Sequence, residues 1–182
     1  ELPHVLTPND VFNGRAQAGR VVIYDDDHYM MGGALAERGA LLGCTVSLVT
    51  PAPEVSYWTR FALEQERIEK RLRGLGVTLY TKHTLSRIDV GSVAVTDNMT
   101  GVVCTLPTDS VLLVTDRRPS DSLYYQLEPA LIDGRLHSLR IIGDADAPNL
   151  IAQAVFAGHR AAREFGETPM EGMPFKVERI AV

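Results

Sequence analysis

Arg20-Val-Val-Ile-Tyr24, then Asp25-Asp26-Asp27-His28-Tyr29-Met30-Met31-Gly32-Gly33, then Ala34 to Leu42 and Thr45-Val-Ser-Leu-Val-Thr50 make up the stretch that decides the fold. The first run is short, apolar and β-branched, which predicts a strand, and it ends in an acidic turn. Ala34 to Leu42 has helical spacing and stops at Gly43, after which Thr45 to Thr50 alternates as a strand does and is cut off by Pro51 and Pro53. Strand, turn, helix and strand within about thirty residues predict a parallel βαβ unit with a right-handed crossover.

The same alternation extends outward. Trp58, Phe61, Ala62, Ile68, Leu72 and Leu75 recur at helical spacing among charges, predicting a solvent-facing helix over Ser56 to Leu75, closed by Gly74 and Gly76. Val77 to Tyr80 reads as the next parallel strand. Leu85 to Asp89, Ser92 to Thr96 and Val102 to Leu106 are short strands around the turn Asp97 to Gly101, a β-meander that Ser110 to Thr115 leads back into the main sheet. Beyond the polar turn Asp116 to Ser122, the reading is a short helix at most over Ser122 to Leu127, a strand at Leu139 to Ile142 and a helix over Asn149 to Phe165. Gly166 to Val182, rich in Pro, Gly and Met, is expected to run over the surface. The unit at 139 to 165 has no sequence neighbour with which to complete a sheet, so a boundary is expected between Thr115 and Leu139.

With 45% hydrophobic and 23% charged residues in 182, the chain is neither disordered, collagen-like nor disulfide-stapled. Eighteen basic against 23 acidic residues, with no basic cluster, exclude nucleic acid as a partner. No apolar run is long enough to span a bilayer and no leader is evident, which points to a soluble, cytoplasmic protein without membrane contact. Cys44 and Cys104 form neither a CxxC pair nor a zinc set and are expected to be buried thiols. A start at Glu1 in place of Met suggests a piece of a longer protein.

In a dinucleotide-binding fold the first βα turn needs glycines so that backbone and helix N-terminus can approach a pyrophosphate. Here Asp25, Asp26 and Asp27 stand where the phosphates would lie, and Thr50-Pro51 stands where an acidic residue would hold the ribose. The fold signal is good and the coenzyme signal is poor. An acidic cluster after a first strand also serves Mg²⁺-dependent receiver domains, but no acceptor Asp ends the second strand, Asp116 comes only after the meander, and no Lys follows. His28 beside three Asp offers at most two metal ligands, since consecutive residues point apart, and a capping or solvated role is expected. His4, His83 and His137 have no partner at a recognisable spacing, and no nucleophile elbow is present.

Leu139-Arg140-Ile-Ile-Gly143-Asp144-Ala145-Asp146-Ala147-Pro148, followed by a helix carrying Gly158-His159-Arg160, is the most specific text in the chain. A strand, Gly-Asp and a small-residue helix resemble the closing unit of two-dinucleotide flavoproteins, where the Asp accepts hydrogen bonds from a sugar or ribityl hydroxyl. A capping Asp in a tight turn explains the same text.

In order, Val-Leu-Thr-Pro-Asn-Asp-Val-Phe (5 to 12), Val-Val-Ile-Tyr-Asp-Asp-Asp-His-Tyr (21 to 29), Val-Ser-Leu-Val-Thr-Pro (46 to 51), Val-Leu-Leu-Val-Thr-Asp-Arg-Arg-Pro (111 to 119), Ile-Gly-Asp-Ala-Asp-Ala-Pro (142 to 148) and Phe-Ala-Gly-His-Arg-Ala-Ala-Arg-Glu (156 to 164) resemble the C-terminal part of the trimethylamine, dimethylamine and histamine dehydrogenases. Relatives of these include 2,4-dienoyl-CoA reductase, within the NADH:flavin oxidoreductase group. The resemblance covers residues 3 to 166. It implies an α/β fold: a Rossmann-like three-layer domain of β-meander, parallel sheet and helices, the NAD(P)-binding-like insert, at 18–115. Residues 1–17 and 116–182 would be part of an FAD- or ADP-binding-like domain and a tail.

The resemblance further implies a parent flavoprotein with an N-terminal FMN barrel and 4Fe-4S cluster region as intramolecular partners. An electron-transfer flavoprotein would be the acceptor, and homo-oligomerisation stays open. Gly143 and Asp144 match the motif near FAD in the reductases or near ADP in the amine dehydrogenases, whereas Asp116 replaces a cofactor-side glycine. The expected role is scaffold or ADP binding, with no catalysis by the chain alone and no catalytic or metal residue. The alternatives are an NAD(P)H/FAD electron-input module of a 2,4-dienoyl-CoA-reductase-like enzyme and a Mg²⁺-dependent receiver-like domain.

Overall fold

The computed structural model of the chain describes residues 2–15 and 17–166. Contacts divide it into two compact units, with the break after Asp116.

The first unit begins with a two-residue strand β1 (Val5–Leu6) and a short helix α1 (Pro8–Phe12). Thr7 caps α1 through a capping box with Asp10, and Pro8 occupies the first turn, where its missing N–H is not needed. Next come β2 (Arg20–Asp25), α2 (Met30–Leu41) and β3 (Thr45–Thr50), the βαβ unit read from the sequence, with α2 starting four residues earlier than the apolar spacing indicated. A 3₁₀ turn (Tyr57–Ala62), α3 (Gln65–Gly74) and β4 (Thr78–Thr81) follow. The meander is β5 (His83–Asp89), β6 (Ser92–Asp97) and β7 (Val103–Pro107), and β8 (Ser110–Val114) returns to the main sheet.

All five strands of the main sheet are parallel, in the order β1-β8-β2-β3-β4. Period-two alternation sends its residues to two cores. Val21, Ile23, Val46, Leu48 and Leu112 pack with Leu35, Ala36 and Leu72 of α2 and α3. Val22, Tyr24, Val49 and Val111 pack instead with Val93, Val95 and Leu106 of the antiparallel meander. Helices, parallel sheet and meander are the three layers expected, in a Rossmann-like arrangement. The sheet places β4 outside β3, whereas a receiver-type sheet places its third strand on the far side of the first.

The continuous helix predicted over Ser56 to Leu75 is broken. Ser56 and Leu63 have left-handed backbones (φ +51° and +59°), and the segment between them is held by tertiary hydrogen bonds that helical periodicity does not reveal. The Trp58 amide donates to the His28 carbonyl at 2.9 Å, and Gln65, buried at the start of α3, donates to the Val55 carbonyl at 3.3 Å. Both thiols are half-buried and free: Cys44 packs at the edge of the helix-side core and Cys104 at the edge of the meander-side core.

The second unit contains α4 (Ser122–Ile132), a 3₁₀ turn at Gly143–Ala145 and α5 (Ile151–Arg163). Helix α4 runs five residues beyond the expected Leu127. Pro129 forfeits only its own N–H, while its carbonyl and that of Ala130 accept from Asp133, Arg135 and Leu136. Leu139 to Ile142 form no strand, because a strand is completed by a ladder partner and the described residues of this unit offer none. The expected surface tail from 167 onward lies outside the described residues.

Candidate functional site

In a Rossmann-like sheet the ligand crevice opens at the carboxyl ends of the strands, where the strand order reverses. Here that point lies between β2 and β8, at Asp25 and Val114, which are paired in register. Residues 26–29 form the turn into α2.

Asp25 is fully buried, with none of its surface exposed. A Cβ added to Gly32, in the first turn of α2, would stand 2.4 Å from its Cγ and 2.5 Å from Oδ2. The close approach that a glycine gives a pyrophosphate in a coenzyme-binding turn is taken up by the chain's own carboxyl. Gly33 is used in the same way: a Cβ there would lie 2.9 Å from the Oγ of Ser56. The amides of Asp26 and Asp27 both point to the Val114 carbonyl, at 2.8 and 3.3 Å, and are therefore engaged with β8.

Electrostatics follow from this packing. Asp25 Oδ1 accepts from the His28 amide at 3.1 Å, while buried Oδ2 has no hydrogen-bond partner. Burial is the main cause that pushes the Asp25 carboxyl up to about 7. The charges of Asp27 and Asp26 add to the rise, and the hydrogen bonds from His28 and Asp27 oppose it. Of the three carboxylates predicted to oppose a diphosphate, one fills the place and Asp26 stands with its side chain about half exposed. His28, in the turn after β2, has a left-handed backbone (φ +59°). Its Nδ1 lies 3.3 Å from Thr50 Oγ1 and its Nε2 lies 3.4 Å from Asp26 Oδ1. Thr50, at the position where a ribose-binding acid would stand, is buried and accepts from the Ala52 amide at 3.2 Å.

His83 and His4 are each engaged with a backbone carbonyl. His83 Nδ1 donates to the Thr81 carbonyl at 2.6 Å and His4 Nε2 donates to the Asp89 carbonyl at 3.2 Å. Among the described residues, no group of three or more His, Cys, Asp or Glu is arranged to hold a metal ion, and no helix is long and apolar enough to cross a membrane.

In the second unit Gly143 has a left-handed backbone (φ +62°) and opens the 3₁₀ turn. Asp144 Oδ1 accepts from the Asn149 amide at 3.3 Å, which leaves Oδ2 as a further acceptor position. A shallow cleft of about 240 Å³ in this unit is lined by Arg140, Ile142, Asp146, Arg160 and Glu164, among others. Glu164 bridges both arginines, and its hydrogen bond from Arg160, followed by that from Arg140, holds its carboxyl below the usual carboxylate range. The acidic turn singled out in the sequence contains Asp25 at the switch point, and the expected Gly143 and Asp144 lie together in the 3₁₀ turn of the second unit. The close approach of Ser56 to Gly33 and the bond from Gln65 to the Val55 carbonyl carry no periodic signal in the sequence.

A parallel sheet with its meander on one face and helices on the other, and a glycine turn at the switch point, define a Rossmann-like α/β domain. More particularly, the chain belongs to the family of OYE-like second alpha/beta domains, whose model matches residues 6–102. It is similar to dimethylamine dehydrogenase of Hyphomicrobium sp. (strain x), 32% identical over 99% of this chain and 27% of that one. The structure of histamine dehydrogenase from Rhizobium sp. 4-9 matches with a TM-score of 0.87 at 40% identity, covering 98% of this chain and 28% of that chain. That of 6-hydroxypseudooxynicotine amine oxidase from Pseudomonas geniculata N1 matches with a TM-score of 0.87 at 37% identity, covering 91% and 25%. The resemblance to the amine dehydrogenases drawn from the sequence motifs is borne out, and the chain spans little more than a quarter of the length of these relatives.

Proposed function

We propose that the chain is the nucleotide-binding-like portion of an FMN/4Fe-4S oxidoreductase of the amine dehydrogenase type, where it serves as scaffold or as an ADP site and performs no catalysis itself. The observation that carries this reading is the Asp25 carboxyl packed onto Gly32, with the Asp26 and Asp27 amides already bonded to Val114. A nicotinamide coenzyme does not fit this turn: its diphosphate would need the space that Asp25 fills and the amides that β8 holds.

In this proposal residues 18–115 are the NAD(P)-binding-like insert, and residues 1–17 and 116–182 belong to the FAD- or ADP-binding-like domain. Gly143 and Asp144 are the cofactor-side residues, the left-handed glycine bringing the backbone close and the carboxylate accepting from a ribose or ribityl hydroxyl. A 4Fe-4S cluster takes four thiolates, and the chain has two cysteines, Cys44 just before β3 and Cys104 in β7 of the meander. Cluster and FMN therefore belong to other parts of the parent, with an electron-transfer flavoprotein as the electron acceptor and a cytoplasmic setting. Calorimetric titration of the chain with ADP, NADH and NADPH tests the reading. Binding of ADP alone, weakened at least tenfold in Asp144→Ala, or of none of the three, supports it. Tight NAD(P)H binding would instead favour the electron-input module of a reductase.

A further inference from the structure

The turn between β2 and α2 is held at its start by the Val114 carbonyl, which takes the Asp26 and Asp27 amides, and at His28 by the Asp25 carboxyl. Asp25 Oδ1 holds the His28 amide, His28 is kept in a left-handed conformation that L-residues adopt at a cost, and the His28 carbonyl accepts from the Trp58 amide. Asp25 Oδ2, fully buried, has no partner at all. That oxygen is closed off from solvent, with the backbone of Gly32 packed close to the carboxyl. The ionisable groups facing it are Asp26 and Asp27 beside it and, across Asp26, the His28 imidazole, while the neighbouring elements present Gly32 on α2 and Val114 on β8, neither of them charged.

We propose that Asp25 is a proton-operated catch: as a neutral acid it holds the 26–29 turn closed and Trp58 against it, and on losing its proton it swings toward water and releases both. An ionised, dehydrated carboxylate next to two others is a high-energy arrangement, which turning outward to water relieves. The burial that raises this carboxyl to about 7 puts the release near neutral pH. The inference rests on the reading of the turn as closed, and calorimetry with NADH tests that reading separately.

Trp58 is the only tryptophan in the chain and is about half exposed, stacked on Phe61 at 5.8 Å, so its emission reports the release directly. The test follows Trp58 fluorescence and amide hydrogen exchange of residues 26–29 in the 182-residue chain from about pH 5 to 9. The expected result is a one-proton change in emission near neutrality. Below it, exchange corrected for intrinsic rates rises roughly tenfold per pH unit, and above it the corrected rate levels off. Asp25→Asn, which keeps the shape and the neutral state, should give the low-pH emission at every pH. Histidine titrates in the same range, and His28→Gln should keep the transition. A transition that survives in Asp25→Asn, or a wild-type chain with flat emission and exchange, overturns the proposal. Infrared difference spectra of the wild-type chain give a second readout that needs no variant: absence of a buried carboxylic-acid carbonyl band lost on raising the pH also overturns it.

Discussion

A Cβ placed on Gly32 would stand 2.4 Å from Cγ of Asp25, so the last residue of β2 and the first turn of α2 meet side chain against bare backbone. The glycine is required by an internal partner that is buried and short and stands at the end of a central strand. Even the Asp25 Cβ, which no rotation of the carboxyl moves away, would lie 2.7 Å from the added methyl.

Gly32→Ala should therefore destabilise the fold by about 1–3 kcal/mol, the usual cost of overpacking. Gly74, near the end of α3, has nothing within 4 Å of its added Cβ and no left-handed backbone. Gly74→Ala should be neutral or gain up to about 1 kcal/mol. Urea midpoints at unchanged slope decide the matter, and equal midpoints for the two variants would contradict the packing described.

Asp25 also sets a pH dependence whose sign can be worked out. Its folded pKa of about 7 lies above its unfolded value of 3.8, so the folded state holds the proton over that interval. The contribution is fully present below the unfolded pKa and is lost as pH rises through about 7. At about 1.36 kcal/mol per pKa unit the ceiling is about 4 kcal/mol. Asp10 and Asp109 work in the opposite direction. The Thr7 amide and hydroxyl, with Arg15, hold Asp10 down to about 2, and Arg20 does the same for Asp109. Their stabilisation is present above the unfolded carboxylate value and is lost as pH falls toward 2. Urea unfolding of the wild-type chain should give its greatest stability in mildly acidic solution, and Asp25→Asn should remove the decline on the neutral side.

Core and rim predict different tolerances. Leu48, fully buried among β2, α2 and β4 residues, should cost about 2–5 kcal/mol as Leu48→Ala. Met99, largely exposed in the meander turn, should stay within about 0.5 kcal/mol as Met99→Ala. Thermal unfolding of both variants checks the assignment of core and rim.

Much of the first unit was legible because its elements are written in local periodicity. Thr45 to Thr50 alternates, Arg20 to Tyr24 is an apolar run, and the meander turns are marked by Gly91 and Gly101, both left-handed. The acidic turn was legible as an obstacle to a diphosphate, but not as a plug, because which carboxyl turns inward depends on strand register: Asp25 ends a strand whose last five positions are all buried. The break at Leu63 was not legible, since it depends on the amide of Trp58 reaching a carbonyl thirty residues earlier. Leu139 to Ile142 has strand composition, but composition does not supply a partner, and none stands beside it among the described residues.

Leu63 carries the last prediction. It is 91% exposed and has φ +59°, so it contributes almost no burial while holding a conformation in which its Cβ crowds the following carbonyl. Its amide bonds to the Arg60 carbonyl and would keep doing so in a glycine. Leu63→Gly removes the crowding, worth about 1–2 kcal/mol, and gives back part of it because glycine frees the unfolded chain. A net gain of up to about 1 kcal/mol is expected. Leu63→Val should lose stability at the same position, since branching at Cβ makes the left-handed region harder to reach. Opposite shifts of the urea midpoint in the two variants would establish that the backbone at Leu63, and not its side chain, ends the 3₁₀ turn and sets where α3 begins.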